Sequence, residues 1–148
     1  RIMKNVFLFI VLVSLNFSCG ISNEKIQVYM SPSCGCCKKW VSYLKDNGFE
    51  VESIMLDDMG PIKTKYGIPE GDRSCHTGII NSYFVEGHVP VSDIRELLSK
   101  KPDIAGITVP GMPAGQNVPG METVDTNAEY DVLYVRNDGS TDVWNSYN

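Results

Sequence analysis

The sequence predicts an α/β fold, and three features carry that prediction. Residues 25–30 and 49–56 alternate apolar and polar side chains with the period of a strand. Each of these runs is followed by a segment with helical spacing or a short helix or turn. Two further apolar runs, 77–80 and 83–86, flank the polar link Asn81-Ser82 and read as a hairpin.

The elements follow in order. After the first strand, Ser31-Pro32-Ser33 breaks the chain, and a helix is expected over about 36–47. Its apolar stripe is Trp40, Val41 and Leu44, extended back one turn by Cys37, and Gly48 ends it as a left-handed cap. The second strand turns from half-buried to buried at Ile54. A short helix or turn covers 59–66 and stops at Gly67-Ile68-Pro69. Beyond the hairpin, Pro90 suits a first helical turn, Ile94, Leu97 and Leu98 form the buried stripe, and Pro102 marks the end. Two βα units feeding an antiparallel hairpin and a last helix make the thioredoxin-like arrangement. Residues 103–128 are a long loop with four Gly, three Pro and two Met, and little periodicity. Residues 130–135, the turn signal Asp138-Gly139 and Val143-Trp144 predict a terminal β-hairpin.

Composition narrows the function. The 148 residues carry 13 Lys plus Arg against 18 Asp plus Glu, a net charge of −5. That balance argues against nucleic acid, which requires a basic footprint. A 43% hydrophobic content fits one globular domain, and five cysteines are too few for a disulfide-stapled scaffold. Residues 1–20 read as an export signal: Lys4, an apolar run from Val6 to Val13, then small residues. The run is too short to span a bilayer, which takes about 20 apolar residues. Two processing routes fit. In one, residues 15–20 act as a lipobox and Cys19 becomes a lipidated first residue; in the other, a general peptidase cuts after Gly20. Both export a single domain over 24–148.

Cys34-Gly35-Cys36-Cys37 carries the chemistry. It lies where a strand turns into a helix, and the helix start favours thiolate over thiol. Cys34 and Cys37 have redox Cys-x-x-Cys spacing, and Cys36 adds a third sulfur that dithiol exchange does not need. Converging thiolates suit Cu(I), or less well zinc. A thioredoxin-like fold brings the segment of Cys75 back against that helix start, which makes a fourth sulfur. Metal binding, dithiol redox chemistry and inert disulfides all remain open at this point. Met30, Met55 and Met59 read as core filler. Met112 and Met121 sit instead in twin Pro-Gly-Met units of the long loop, where thioethers can serve as Cu(I) ligands or simply anchor the loop. His76 and His88 are candidates for metal or supporting roles, and a capping or supporting role suits His88 better. Asp57-Asp58 reads as a solvated pair, and no phosphate loop or serine nucleophile motif is present in the sequence.

Five motifs occur in order: residues 30–40 around the cysteine turn, Ser74-Cys75-His76-Thr77, Glu86-Gly87-His88-Val89-Pro90, Val109-Pro110-Gly111-Met112-Pro113 and Pro119-Gly120-Met121-Glu122. Together, over roughly residues 25–145, they resemble the CopG-type copper-resistance family, an exported bacterial family long filed as a domain of unknown function. The resemblance implies a thioredoxin-like fold and copper bound by Cys34, Cys36, Cys37 and Cys75, bridging several Cu(I) ions, with Met112 and Met121 as further ligands. His76 and His88 match the family too. Two departures stand out: the loop 114–118 is longer than usual, and Gly78 stands where alanine is common.

The expected function is therefore periplasmic copper binding in copper resistance, with Cu(I) held by thiolates and cycling between copper-thiolate and disulfide states. This describes a metal-binding protein rather than an enzyme. Its partners would be copper ions and copper efflux or chaperone proteins, with membrane contact only through a lipid on Cys19. The alternative is a thiol–disulfide oxidoreductase in which Cys34 attacks and Cys37 resolves.

Overall fold

The computed structural model describes residues 24–148. The expectations for residues 1–20, including Cys19, lie outside the described residues. The order of elements is β1 (Lys25–Met30), α1 (Gly35–Asp46), β2 (Glu50–Met55), α2 (Gly60–Lys65), a 3-10 turn (Glu70–Asp72), β3 (His76–Ile80), β4 (Tyr83–Glu86), α3 (Val91–Lys100), β5 (Gly106–Thr108), β6 (Tyr130–Val135) and β7 (Thr141–Tyr147).

The strands form one seven-stranded sheet in the order β2-β1-β3-β4-β5-β6-β7. β1 and β2 run parallel, as do β4 and β5; the other neighbours are antiparallel. The thioredoxin-like arrangement occupies β1 through α3, and β5 to β7 widen the sheet beyond it. Alternation sorts β1, β3 and β4 between two cores. Ile26, Val28 and Met30 of β1 join Trp40, Val41 and Leu44 of α1 and Ile94, Leu97 and Leu98 of α3 in the main core. Tyr29 faces the other way, into a smaller cluster of Ile68, Ile79, Phe84 and Val135.

Local chemistry explains the boundaries that position the site. Cys34 caps α1: its sulfur accepts the Cys37 N–H at 3.3 Å, which satisfies a donor left free at the helix start. Gly48, with φ +87°, follows the C-cap Asn47 and ends the helix as expected. Pro90 is the N-cap of α3 rather than a residue of its first turn. Among the described residues, no helix is long and apolar enough to cross a membrane.

Three expectations are corrected. The loop over 103–128 contains β5, whose three residues are all buried and too few to show an alternating pattern. Part of the same loop is packed, since Val118, Pro119 and Gly120 are buried. Strand β2 does not become buried at Ile54. It lies at the edge of the sheet, so Ile54 is half-buried and Met55 is 46% exposed, which also removes Met55 from the core.

Candidate metal centre

The first turn of α1 and the start of β3 meet at one point. The sulfurs of Cys34, Cys36, Cys37 and Cys75 all lie within 4.8 Å of one another. Cys34 and Cys37 are joined as a disulfide, while Cys36 and Cys75 are free thiols. Cys36 Sγ stands 3.4 Å from Cys34 Sγ and 3.8 Å from Cys75 Sγ. The four candidates converge as the sequence leads one to expect, in an oxidised form in which two of the four sulfurs are closed to a metal.

Cys75 is the hub. Besides Cys36 it meets His76 Nδ1 at 3.3 Å and His88 Nε2 at 3.5 Å. Cys75, His76 and His88 thus form a second group of donors that shares its sulfur with the first. Burial, reinforced by the neighbouring Cys36, pushes the Cys75 thiol up to about 11. An isolated thiolate is disfavoured here, and a soft cation would reverse that preference.

The two histidines are held differently. Pro119 contributes only a carbonyl, 2.8 Å from His88 Nδ1, so Nδ1 carries the proton and donates. Burial lowers the His88 pKa and keeps the ring neutral, which leaves a lone pair on Nε2 facing Cys75. A backbone carbonyl on one ring nitrogen with the other turned to a soft donor cluster is the usual way a ligating imidazole is oriented. His76 is fully buried, and burial followed by the nearby His88 holds its pKa well below the ordinary histidine value. Its Nε2 is buried without a hydrogen-bond partner. The Trp40 ring lies 4.5 Å from the His76 ring, and His88 meets His76 edge-on at 4.8 Å. Trp40 is fully buried and donates its Nε1–H to the Val89 carbonyl at 3.0 Å.

The methionine motifs approach from the long loop. Gly111 donates its N–H to the Arg73 carbonyl at 3.2 Å, and its own carbonyl accepts the Ser74 hydroxyl at 2.5 Å. This ties the first Pro-Gly-Met unit to the residue before Cys75, with Met112 58% exposed. The second unit lies on α1. Gly120 has φ +82°, and a Cβ there would sit 2.9 Å from the Trp40 nitrogen and 3.1 Å from the Cys36 carbonyl. Only glycine allows the loop to come so close to the helix that bears the cysteines, and it delivers a half-buried Met121. At Gly78, a Cβ would lie 2.8 Å from the tip of Ile26 and 3.4 Å from the Trp40 ring. Asp57 and Asp58 are exposed, as expected, and Asp58 accepts the Gly60 N–H at 2.8 Å ahead of α2.

A family model described as Glutaredoxin matches residues 26–66, which contain the Cys34–Cys37 pair, and one described as "Protein of unknown function, DUF411" matches residues 72–121, which contain Cys75, His76, His88, Met112 and Met121. Two solved structures, described as copper resistance protein copG, Form 2 and Form 1, are each 42% identical to this chain. Each covers 84% of this chain and 98% of its own, with a TM-score of 0.79. The chain belongs to the CopG copper-resistance family. Among curated proteins, no match was found. The family resemblance and the thioredoxin-like fold read from the sequence both stand. The two family-model segments also divide the centre: the glutaredoxin-like one supplies Cys34, Cys36 and Cys37, and the second supplies Cys75 and both histidines.

Several participants escape sequence reasoning. Pro119 heads the second Pro-Gly-Met motif, but nothing in that motif marks its carbonyl as the partner of His88 Nδ1. Lys63 and Glu86 form a buried ion pair beside the centre. The available signal for that pair was Glu86 itself, a charge closing a strand of otherwise apolar residues.

Proposed function

We propose that this protein binds copper for resistance or homeostasis and holds it as Cu(I) in a multinuclear thiolate site. The observation that carries this reading is the convergence of four sulfurs within 4.8 Å of one another. Reduction of the Cys34–Cys37 disulfide by an external dithiol, which gives up two electrons and two protons and is itself oxidised to a disulfide, yields two thiols, and Cu(I) displaces their protons together with those of Cys36 and Cys75. Four thiolates at this spacing repel one another strongly, and several monovalent ions neutralise them better than one. His88 Nε2 supplies a further donor, with His76 as ligand or support. Met121 and Met112 add thioethers, the softer donors that favour Cu(I) over zinc.

Export to the periplasm through residues 1–20, with a lipid on Cys19 as anchor, belongs to the same proposal. So do exchange of copper with efflux or chaperone proteins and cycling between copper-thiolate and disulfide forms. The test is to reduce the protein, load it anaerobically with Cu(I), and count the copper that survives a competing chelator in wild type and Cys75→Ser. Retention in wild type and its loss in Cys75→Ser support the reading; less than one equivalent in wild type ends it.

A second reading has an observation of its own. A closed Cys34–Cys37 disulfide at a helix start, in a segment matching a glutaredoxin model, is the equipment of a thiol–disulfide oxidoreductase. In that reading Cys34 attacks and Cys37 resolves. It predicts insulin reduction that requires Cys34 and Cys37 and is indifferent to Cys36→Ser and Cys75→Ser.

A further inference from the structure

Beside the donor cluster, and outside it, lies a buried ion pair. Lys63 of α2 is 5% exposed and Glu86 of β4 is fully buried, and Lys63 Nζ meets Glu86 Oε1. Lys63 also donates to Thr77 Oγ1 at 3.0 Å, and the Thr77 hydroxyl donates to Glu86 Oε2 at 2.6 Å. Glu86 Oε1 then accepts the backbone N–H of Ser74 at 2.7 Å. The Ser74 hydroxyl donates to the Gly111 carbonyl at 2.5 Å. One bonded path therefore runs from α2 through β4 to the residue preceding Cys75, and on to the first Pro-Gly-Met unit.

Stability alone is a weak reason for such a pair. Removing two charges from water costs several kcal/mol per ion, and well-packed apolar replacements are often neutral or better. The pair does something that apolar side chains cannot. Ser74 precedes β3, which begins at His76, and the β3–β4 ladder starts at Thr77 opposite Glu86. The Ser74 N–H thus has no strand partner, and the Glu86 carboxylate accepts it instead. That bond fixes the backbone one residue before Cys75, whose sulfur must land 3.8 Å from Cys36 and 3.5 Å from His88 Nε2.

We propose that Glu86 is a positioning residue for Cys75: it is held by Lys63 and Thr77, and it aims the Cys75 sulfur into the cluster through the Ser74 N–H. This rests on reading the cluster as a copper site, and the test separates the two claims. Two charge-balanced double variants of the whole protein are compared with wild type. Lys63→Met/Glu86→Gln keeps an acceptor for Ser74, whereas Lys63→Met/Glu86→Leu removes it. A third variant, Ser74→Pro, removes the N–H instead of its acceptor and is read against Ser74→Ala, which loses the same hydroxyl but keeps the N–H. The preceding Arg73 is already extended, at φ −76° and ψ 147°, the conformation a residue before proline takes.

Two readouts are used alongside thermal melting. One is Cu(I) affinity against a chromophoric chelator, with the thiolate-to-copper absorption band. The other involves no metal: fluorescent bridging of Cys36 and Cys75 by dibromobimane in the disulfide form. The glutamine pair is expected to match wild type in both. The leucine pair and Ser74→Pro are expected to bind copper about 10–100-fold more weakly, the usual loss when an outer support of a ligand is removed, and to bridge poorly while remaining folded. Wild-type affinity and bridging in either the folded leucine pair or folded Ser74→Pro overturn the proposal. So does a folded glutamine pair that loses both. If wild type itself holds no copper, the copper reading fails, and the bridging result still decides whether Glu86 positions Cys75.

Discussion

Replacing Gly120 with alanine tests whether the long loop is part of the centre or merely near it. The new methyl group would meet the Trp40 nitrogen at 2.9 Å, the Cys36 carbonyl at 3.1 Å and the Trp40 Cα at 3.3 Å. All three are helix backbone atoms, so no side chain can swing aside. A left-handed conformation costs a residue with a Cβ about 1–2 kcal/mol. Overpacking adds about 1–3 kcal/mol, so Gly120→Ala should cost about 2–5 kcal/mol in all. Gly111 is the control: its φ is +68°, but a Cβ there meets nothing within 4 Å, so Gly111→Ala should cost only the conformational part. Urea unfolding of the disulfide form, followed by tryptophan fluorescence at equal m-values, measures the difference. The expected gap is about 1–3 kcal/mol, the steric component alone. Because the loop can relieve the clash only by lifting, the Pro119 carbonyl should also leave His88 Nδ1, and copper affinity should fall more in Gly120→Ala than in Gly111→Ala. Equal destabilisation by the two variants would show that Gly120 is not packed against the backbone of α1.

Three other outcomes follow from the buried polar groups. His76 and His88 both titrate below the ordinary histidine value because they are buried, so the unfolded chain takes up protons that the folded chain refuses. Metal-free stability should therefore be complete above about pH 6.5 and decline as pH falls below it, by up to about 1.4 kcal/mol per unit per histidine; melting temperatures that stay flat from about pH 7.5 to 5.5 would contradict this. Cys75, pushed up to about 11 by burial and by Cys36, should react with iodoacetamide in the disulfide form along a pH curve centred near that value, and a curve centred at an ordinary thiol pKa would be inconsistent. Tyr147→Phe removes the hydroxyl that donates to Asp93 Oδ2 at 2.5 Å, and Asp93 is fully buried at the start of α3. It should cost about 1.5–3 kcal/mol in urea unfolding, as the loss of a bond to a charged group does; a loss too small to detect would show that β7 is not pinned to α3 there.

What the sequence reveals and hides follows the range of the forces involved. Trp40, Val41 and Leu44 repeat at helical spacing, the sequences of β1 and β2 alternate, and the apolar runs of β3 and β4 flank a polar link, so α1 and the first four strands are legible from neighbours in the chain. The fold class then brings Cys75 to Cys36 without any contact being known in advance. Strand β5 is not legible, because three buried residues carry no period. Ile54 and Met55 look like core residues, and only the position of β2 at the sheet edge exposes them. The proton on His88 Nδ1 is fixed by a carbonyl 31 residues away, in a proline that contributes no side-chain signal. Lys63 and Glu86 are residue types that normally stay in water, so their burial emerges only once α2 and β4 are placed together.

The number of copper ions each chain retains decides whether the four sulfurs act as one site. The reduced protein is loaded anaerobically with Cu(I), exposed to a competing chelator and assayed for copper per chain, beside Cys75→Ser. Wild type should retain more than one copper and show a thiolate-to-copper absorption band in the near ultraviolet, and Cys75→Ser should lose most of both, because that sulfur belongs to both donor groups. Less than one equivalent in wild type, or an unchanged count in Cys75→Ser, would contradict a single shared site.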